Sequence, residues 1–187
     1  MMQLVGQEAN ILGAWASAVA RTLQQTTDTE VAGGGALAAA LVTSTLFPGE
    51  RIDALQPVLG LSASGVVRTV DRLVAAGLAE RHASGGDGRE VLIHPTRRGV
   101  RAAERVLRAR DATAHKLLEP LNPSERETFL NLLAKLLTAM PSDRDSARHI
   151  CRLCDHPSCE RGWCPVSEGA PGEGHRSRPP RPLNASQ

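Results

Sequence analysis

Aromatic side chains are scarce in this sequence of 187 residues. Tyrosine is absent, and the tryptophans and phenylalanines number two each: Trp15, Phe47, Phe129 and Trp163. A β-sandwich core draws on aromatic and β-branched residues, whereas leucine, valine and alanine suit packed helices. With 41% hydrophobic residues, the chain can still bury a sizeable core. The composition therefore predicts a mainly helical chain of one domain with appendages.

Long apolar runs and targeting signals are also lacking. The N-terminal stretch MMQLVGQEANILGAWASAVARTL has no basic region of the kind that begins a signal peptide. The run VAGGGALAAALV is too short and too weakly apolar to span a bilayer. These absences predict a cytoplasmic protein without a membrane partner. Ser-His-Asp and paired-carboxylate constellations are missing as well, so an enzyme is not expected.

The charge is unevenly distributed, although its net value is only +2. Residues 1–50 carry one arginine against four acidic side chains, whereas residues 62–110 carry ten arginines and five acidic side chains. Arginine is suited to bidentate contacts with phosphate and guanine. The central segment therefore indicates a nucleic-acid interface, although a solvated charged surface would give the same count.

The segment LGLSASGVVRTVDRLVAAGLAERHASGGDGREVLIHP has the pattern of a helix-turn-helix followed by a wing. Ser62 can cap a helix that ends near Ala76, where Gly77 can close it in the left-handed conformation. At about 100° per residue, one face of this helix is apolar and the other carries small residues and arginine. These faces are Val66, Val70, Leu73 and Gly77, and Ser64, Arg68, Arg72 and Ala75. The strands LAERHA and EVLIHP, joined by SGGDGR, predict the β-hairpin wing.

Amphipathic helices flank this segment. Helical spacing of apolar residues predicts one helix over residues 4–24, another over 97–118, and a third that begins at the cap-like sequence NPSE. A small winged domain cannot cover all of their apolar faces. They could pack on one another or on a second copy, and the second option gives a two-fold homodimer that reads palindromic DNA.

These motifs resemble the MarR-type winged helix-turn-helix transcriptional regulators over residues 4–140. The similarity is most specific in LGLS, VVRTVDRL, GLAER and DGREVLIHPTRRG. It implies that Ser64, Gly65, Arg68 and Thr69 face the major groove or its phosphates, and that Arg89, steadied by Asp87, enters the minor groove. With the cap residue added, the predicted DNA-binding set is Ser62, Ser64, Gly65, Arg68, Thr69, Asp87 and Arg89. Many members of the family also bind a small-molecule effector, which no residue here identifies.

All four cysteines lie within CRLCDHPSCERGWC: Cys151, Cys154, Cys159 and Cys164. Thiols are normally reduced in the cytoplasm, so a tight cluster indicates metal binding or redox activity rather than disulfides. Four thiolates can surround one tetrahedral ion, for which zinc is the leading candidate and an iron–sulfur cluster the alternative. Neighbouring arginines and histidines would also suit a redox-sensing thiol without metal.

Together these patterns predict a mainly α fold with a small β-hairpin wing, as a winged helix-turn-helix domain plus N- and C-terminal dimerisation helices. The expected boundaries are 1–30 for the N-terminal dimerisation helix, 31–98 for the DNA-binding domain, 99–142 for the C-terminal dimerisation helices, 143–164 for the cysteine cluster and 165–187 for a disordered tail. The predicted function is sequence-specific transcriptional regulation, most simply by a dimeric repressor. A thiol or metal redox protein and a protein-interaction module are the competing hypotheses.

Overall fold

The computed structural model describes residues 6–83, 91–160 and 164–171. Most of them are helical, and the mainly α winged helix-turn-helix fold predicted from the sequence is confirmed. In chain order the elements are α1 (Gln7–Glu30), α2 (Gly35–Leu46), β1 (Glu50–Arg51), α3 (Leu55–Leu59), α4 (Ala63–Ala75), β2 (Ala79–Ala83), β3 (Val91–Pro95), α5 (Arg97–Leu118), α6 (Pro123–Thr138), α7 (Arg144–Ile150), α8 (His156–Glu160) and α9 (Pro165–Gly169).

The helix-turn-helix consists of α3 and α4. Gly60 follows α3 with φ +63°, a left-handed conformation that glycine adopts without steric cost. The Ser62 hydroxyl then accepts a hydrogen bond from the Gly65 amide at 3.3 Å, which caps α4 as predicted. A 3-10 turn over Ile52–Ala54 directly precedes the short helix α3. Pro57 lies within α3, as its third residue.

The wing is an antiparallel sheet with strand order β1-β3-β2. The β2–β3 pairing predicted from the sequence is confirmed, with Arg81 opposite Ile93, and the turn at 84–90 lies outside the described residues. The strand β1, which pairs Glu50 with Ile93, was not predicted because two residues are too few to show an alternating pattern.

The core of the winged domain is aliphatic and alanine-rich, in agreement with the scarcity of aromatics. Helix α2 lies at its centre, packed against α3, α4, β3 and α5. Its fully buried residues include the run Ala38, Ala39, Ala40 and Leu41. Because alanine side chains are small, the helices can approach one another closely, so burial without aromatics still produces a dense core.

Two capped helices lead out of the winged domain. The Thr96 hydroxyl accepts from the Gly99 amide at 3.0 Å and donates to the Gly77 carbonyl at 2.8 Å, which ties the start of α5 to the end of α4. A capping box between Asn122 and Glu125 starts α6, as the sequence NPSE predicted. Helix α5 has the predicted bounds, and it packs against α1.

Helix α1 is longer than predicted, because it continues through the threonine-rich stretch to Glu30. Threonine hydroxyls there bond back to carbonyls one turn earlier, for example Thr27 to Leu23 at 2.8 Å, so these residues do not interrupt the helix.

A C-terminal extension of residues 143–171 follows α6 and contains α7, α8 and α9. The expected disordered tail at 165–187 needs correction, because residues 165–169 form α9 and bury Val166 against the rest of the chain. The apolar contact of Val166 orders this segment in spite of its proline and glycine content. Residues 172–187 lie outside the described part of the chain.

Candidate nucleic-acid interface and thiol cluster

The outward face of α4 is the candidate nucleic-acid interface. Val66, Val70 and Leu73 are buried in the domain core, which fixes the rotation of the helix. The opposite face therefore presents Ser64 and Arg68 to solvent, as the helical wheel predicted. Small residues at the first turn, followed by an arginine one turn later, allow a helix to approach a groove and reach base edges.

Arg68 has a competing explanation as the ion-pair partner of Asp71. The structure pairs Asp71 with Arg81 of β2 instead, at 2.6 Å, and this contact fastens the wing to α4. No ion pair involving Arg68 occurs among the described residues. Its exposed guanidinium can thus engage phosphate or guanine without breaking a contact in the described part of the fold.

The first turn of α4 has little room for larger side chains. A Cβ added to Gly65 would lie 3.3 Å from the Leu61 Cβ and 3.4 Å from the Ser62 hydroxyl. The Ser62 and Ser64 hydroxyls lie 3.3 Å apart, on the exposed side of this turn. Ser62 accepts the capping hydrogen bond, so it organises the turn, whereas Ser64 faces outward.

Thr69 differs from the other predicted DNA-binding residues. It is only 7% exposed, and its hydroxyl donates to the Gly65 carbonyl at 2.9 Å. This placement gives it a structural role in α4 and does not support the predicted groove contact. Asp87 and Arg89 lie in the wing turn, outside the described residues, and their predicted roles stay predictions.

The four cysteine thiols of the C-terminal extension lie together, and none forms a disulfide. Hydrogen bonding to Cys154, then to Cys164, raises the pKa of the Cys151 thiol. Hydrogen bonding to Cys151 and to Cys159 lowers the pKa of Cys164. These interactions connect Cys151 with Cys154 and Cys164, and Cys164 with Cys159. The structure therefore brings together all four residues that the sequence proposed as metal ligands.

Two arginines lie close to the thiol cluster. Interaction with Cys151 lowers the pKa of Cys154, and the positive charges of Arg110 and Arg152 lower it further. Arg110 comes from α5 and also donates to the Thr27 hydroxyl of α1 at 3.2 Å. Sequence reasoning missed this electrostatic interaction because Arg110 and Cys154 are far apart in the chain, and no local pattern connects them.

Helix α7 attaches the extension to the helix-turn-helix. The His149 Nδ1 lies 3.0 Å from the Val58 carbonyl oxygen in α3, and the His149 ring lies against Gly60. Arg148 forms an ion pair with Glu50 of β1. The extension is therefore fastened directly to the element that orients the α4 recognition face.

A cavity of about 420 Å³ lies where α7 meets α2 and α3. Its charged lining consists of three arginines, Arg144, Arg148 and Arg152, and two carboxylates, Glu50 and Asp145. Phe47 and His156 contribute rings in edge-to-face contact, with centroids 5.4 Å apart. Three arginines against two carboxylates leave a formal charge of +1 in this lining, which together with the two rings suits a small organic anion. No local sequence pattern indicates this cavity, because its lining residues come from distant parts of the chain.

Membrane insertion finds no support in the helices. Within the described part of the chain, none is both long and apolar enough to cross a bilayer.

Comparison with known proteins supports the motif and the fold separately. The model of the MarR family matches residues 54–90, which include α3, α4 and the first strand of the hairpin, β2. Among solved structures, the chain is similar to YusO from Bacillus subtilis, with 21% identity, a TM-score of 0.64, and 73% of this chain and 96% of that chain covered. No curated protein matches the sequence.

Two further structures give the same result. RV1404 from Mycobacterium tuberculosis has 21% identity and a TM-score of 0.63, with 75% of this chain and 98% of that chain covered. The PcaV transcriptional regulator from Streptomyces coelicolor, in complex with its natural ligand, has 24% identity and a TM-score of 0.56, with 74% and 99% covered. About a quarter of the present chain thus lies outside each match, although the other proteins are covered almost entirely.

Proposed function

We propose that this chain, a winged-helix protein of the MarR type, is a sequence-specific DNA-binding transcriptional regulator that acts as a homodimeric repressor. The observation that carries the proposal is the outward face of α4, where Ser64 and Arg68 are exposed while Asp71 is engaged by Arg81. A helix held in this way by its buried face can enter the major groove without rearrangement.

The proposed dimer rests on exposed apolar residues of the flanking helices. Trp15 of α1 and Phe129 of α6 pack edge to face at 5.6 Å, so these two helices meet within one chain. Around them, large apolar side chains remain exposed: Ile11, Leu12, Leu132, Leu136 and Met140. A second copy would cover this surface, and two-fold symmetry would set the two α4 helices about one DNA turn, roughly 34 Å, apart.

A charge placed on this surface tests the dimer. Leu136 is 57% exposed, so Leu136→Glu should spare the fold of one chain and prevent association. Light scattering coupled to size exclusion should show a dimer for the parent protein and a monomer for the variant, which should also bind its operator weakly. A parent protein that is monomeric at micromolar concentration would contradict the dimer and leave the DNA-binding proposal open.

DNA reading is tested with Arg68→Ala. After selection of a preferred sequence from a random DNA pool, fluorescence anisotropy should show that the variant loses about 1–3 kcal/mol, or roughly 5–150-fold, on that sequence. Binding to random DNA should change little. The matched control is Arg108→Ala, because Arg108 is 68% exposed on α5 and pairs with Glu104.

Two results would contradict base reading by Arg68. One is an equal loss on selected and random DNA, and the other is an equal effect of Arg108→Ala.

Affinity for the selected sequence should also fall steeply with salt, because phosphate contacts release counterions. The repressor assignment is tested separately. Deletion of the gene for this protein should raise transcription from a promoter that contains the selected sequence.

Effector binding is proposed for the cavity lined by Arg144, Arg148 and Arg152. Its charge and its rings suit a small aromatic carboxylate. Salicylate is a simple probe, and isothermal titration should detect binding that Arg144→Ala weakens, because Arg144 lines the cavity and is not one of the arginines that act on the thiols. Titration heats equal for the parent and the variant would contradict this location.

A further inference from the structure

We propose that Cys151, Cys154, Cys159 and Cys164 form a four-thiolate zinc site that clips α7 to α9. This site goes beyond the proposed function, because it would exist whether or not the protein binds DNA. The C-terminal extension that holds it also lies beyond α6, the last helix predicted from the family resemblance.

The backbone places the four residues at the ends of short helices. Cys151 ends α7, and the Cys154 amide donates to the Cys151 carbonyl at 2.9 Å, which closes the tight turn of the CxxC pair. Cys159 lies in α8, where its amide is 3.3 Å from the Asp155 carbonyl, and Cys164 precedes the first residue of α9. Three helices thus converge on the thiols, which is the usual construction of a small structural zinc site.

Hydrogen bonding links the thiols in the order Cys154, Cys151, Cys164 and Cys159. Among the described residues, no group of three or more His, Cys, Asp or Glu side chains is already disposed to hold a metal ion. Zinc binding therefore requires the thiols to lose their protons and turn toward a common point. Such coupling of metal binding to deprotonation and ordering is normal for small zinc modules.

The surrounding charge favours a tetrathiolate site. Four thiolates and one Zn²⁺ carry a net charge of about −2. Arg110 and Arg152 both act on Cys154 and would supply two compensating positive charges. Arg152 also donates to the His149 carbonyl at 2.5 Å, so it is held beside the end of α7. A charged metal site at this position would be neutralised by neighbours that are already present.

The extension also needs a source of stability other than its core. Among the described residues of the extension, Val166 is the one fully buried hydrophobic residue, and Leu153 packs partly buried against the core of the winged domain. Segments of this size cannot bury enough apolar surface to offset their loss of conformational entropy, and metal ions commonly supply the difference. A structural zinc site explains how three short helices persist at the end of the chain.

The location of the clip connects two parts of the molecule. Helix α7 is docked on α3 through His149, and α9 packs on α6 so closely that a Cβ on Gly169 would lie 1.8 Å from the Thr138 carbonyl oxygen. The thiols join α7 to α9, so they join the helix-turn-helix to the proposed dimer helix. Loss of metal should release α9 from α6 and loosen α7.

The first test measures metal in the full-length protein, purified without a tag and without oxygen. Mass spectrometry of the elements should find about one zinc per chain, as for a single four-cysteine site. Cys164→Ser should lose most of it. The matched control is His115→Ala, which should keep about one zinc per chain, because its side chain is 68% exposed on α5 and pairs with Asp111.

The second measurement follows the protection of backbone amides in the helices, and it does not depend on DNA binding. Hydrogen–deuterium exchange should show faster exchange in α6, α7 and α9 after chelation, and readdition of zinc should restore protection. Cobalt should substitute for zinc and give the thiolate charge-transfer bands of a tetrahedral site, which provides a readout if Cys164→Ser fails to fold.

Several results would overturn the proposal: absence of zinc from anaerobic protein that also fails to bind added zinc or cobalt, an iron–sulfur chromophore, or full zinc content in Cys164→Ser. Rapid formation of a Cys151–Cys154 disulfide in metal-free protein, with loss of DNA affinity, would identify a redox switch instead. None of these results bears on Arg68, so failure here is distinguishable from failure of the DNA-binding proposal.

Discussion

The winged domain and the C-terminal extension are held together by different means. In the winged domain, α2 is surrounded by helices and a sheet, and its Leu41 side chain is fully buried among other aliphatic residues. In the extension, the helices have five to seven residues each. Their attachments include His149, the Arg148–Glu50 pair, the His156 ring against Phe47, partly buried Leu153, Val166 and the thiols. The winged domain is thus stabilised by a shared buried core, whereas the extension depends on a few separate contacts.

This difference predicts different responses to damage. Burial is shared among many side chains, so its loss at one point weakens the whole winged domain at once. Discrete contacts act locally, so their loss should open one helix while the rest of the chain remains folded. The following predictions measure that contrast.

The largest effect is expected from Leu73→Ala in α4, a side chain that is completely buried. Loss of transfer energy and the resulting cavity should cost about 2–5 kcal/mol of the free energy of unfolding. Chemical denaturation followed by circular dichroism measures it. Val166→Ala removes the buried side chain of α9 and should leave this main transition almost unchanged. Equal destabilisation by both variants would show that the extension unfolds with the winged domain.

An intermediate effect is expected from Gly169→Ala. The new methyl group would collide with the Thr138 carbonyl oxygen, so α9 should separate from α6. Amide exchange in α9 and in the end of α6 should rise by at least an order of magnitude, while the main unfolding transition stays in place. Gly13→Ala is the matched control, because its methyl group would meet nothing within 4 Å and alanine favours helix by about 1 kcal/mol. Unchanged exchange in Gly169→Ala would contradict the close packing of α9.

The smallest effect is expected at Asp143, which caps α7 from an exposed position. Hydrogen bonds from the Ser146 amide and hydroxyl hold the pKa of Asp143 below its usual value. A lowered pKa means that the carboxylate stabilises α7 above the ordinary pKa of aspartate, and that this contribution is lost as the pH falls through the lowered value. Exchange in α7 should rise over that range in the parent protein. In Asp143→Ala, amide exchange in α7 should already be faster at neutral pH and should show no further rise over that pH range. If the variant shows the same rise as the parent protein, the titrating group is not Asp143.

The sequence predicted the winged domain in detail because its signals are local. Caps at Ser62, Thr96 and Asn122, together with helical periodicity, fixed the bounds of α4, α5 and the start of α6. The buried face of α4 followed from the spacing of its valines and Leu73. Each of these features depends on residues within one or two turns of one another, so a single sequence contains them.

Features that depend on distant residues were not predictable in the same way. The strand β1 exists only through its pairing with β3, and the electrostatic interaction of Arg110 with Cys154 joins α5 to the extension. Thr69 was assigned to the groove by resemblance, yet its hydroxyl is used within its own helix. The cysteine spacing identified which thiols would meet, but not that their helices would dock on α3 and α6.

Helix α5 extends from the winged domain to the neighbourhood of the C-terminal extension. One end is fixed to α4 and the wing by Thr96, and its 22 residues reach about 33 Å at roughly 1.5 Å per residue. Arg110, about two thirds of the way along, donates a hydrogen bond to Thr27 of α1, and its positive charge lowers the pKa of Cys154. If α5 tilted by about 5° about its fixed N-terminal end, its C-terminal end, which leads into α6, would move by about 3 Å. In the dimer proposed above, a shift of this size at α6 would change the distance between the two α4 helices. A chemical change at the thiols that leaves both folds intact would then decide whether both helices can bind one DNA site.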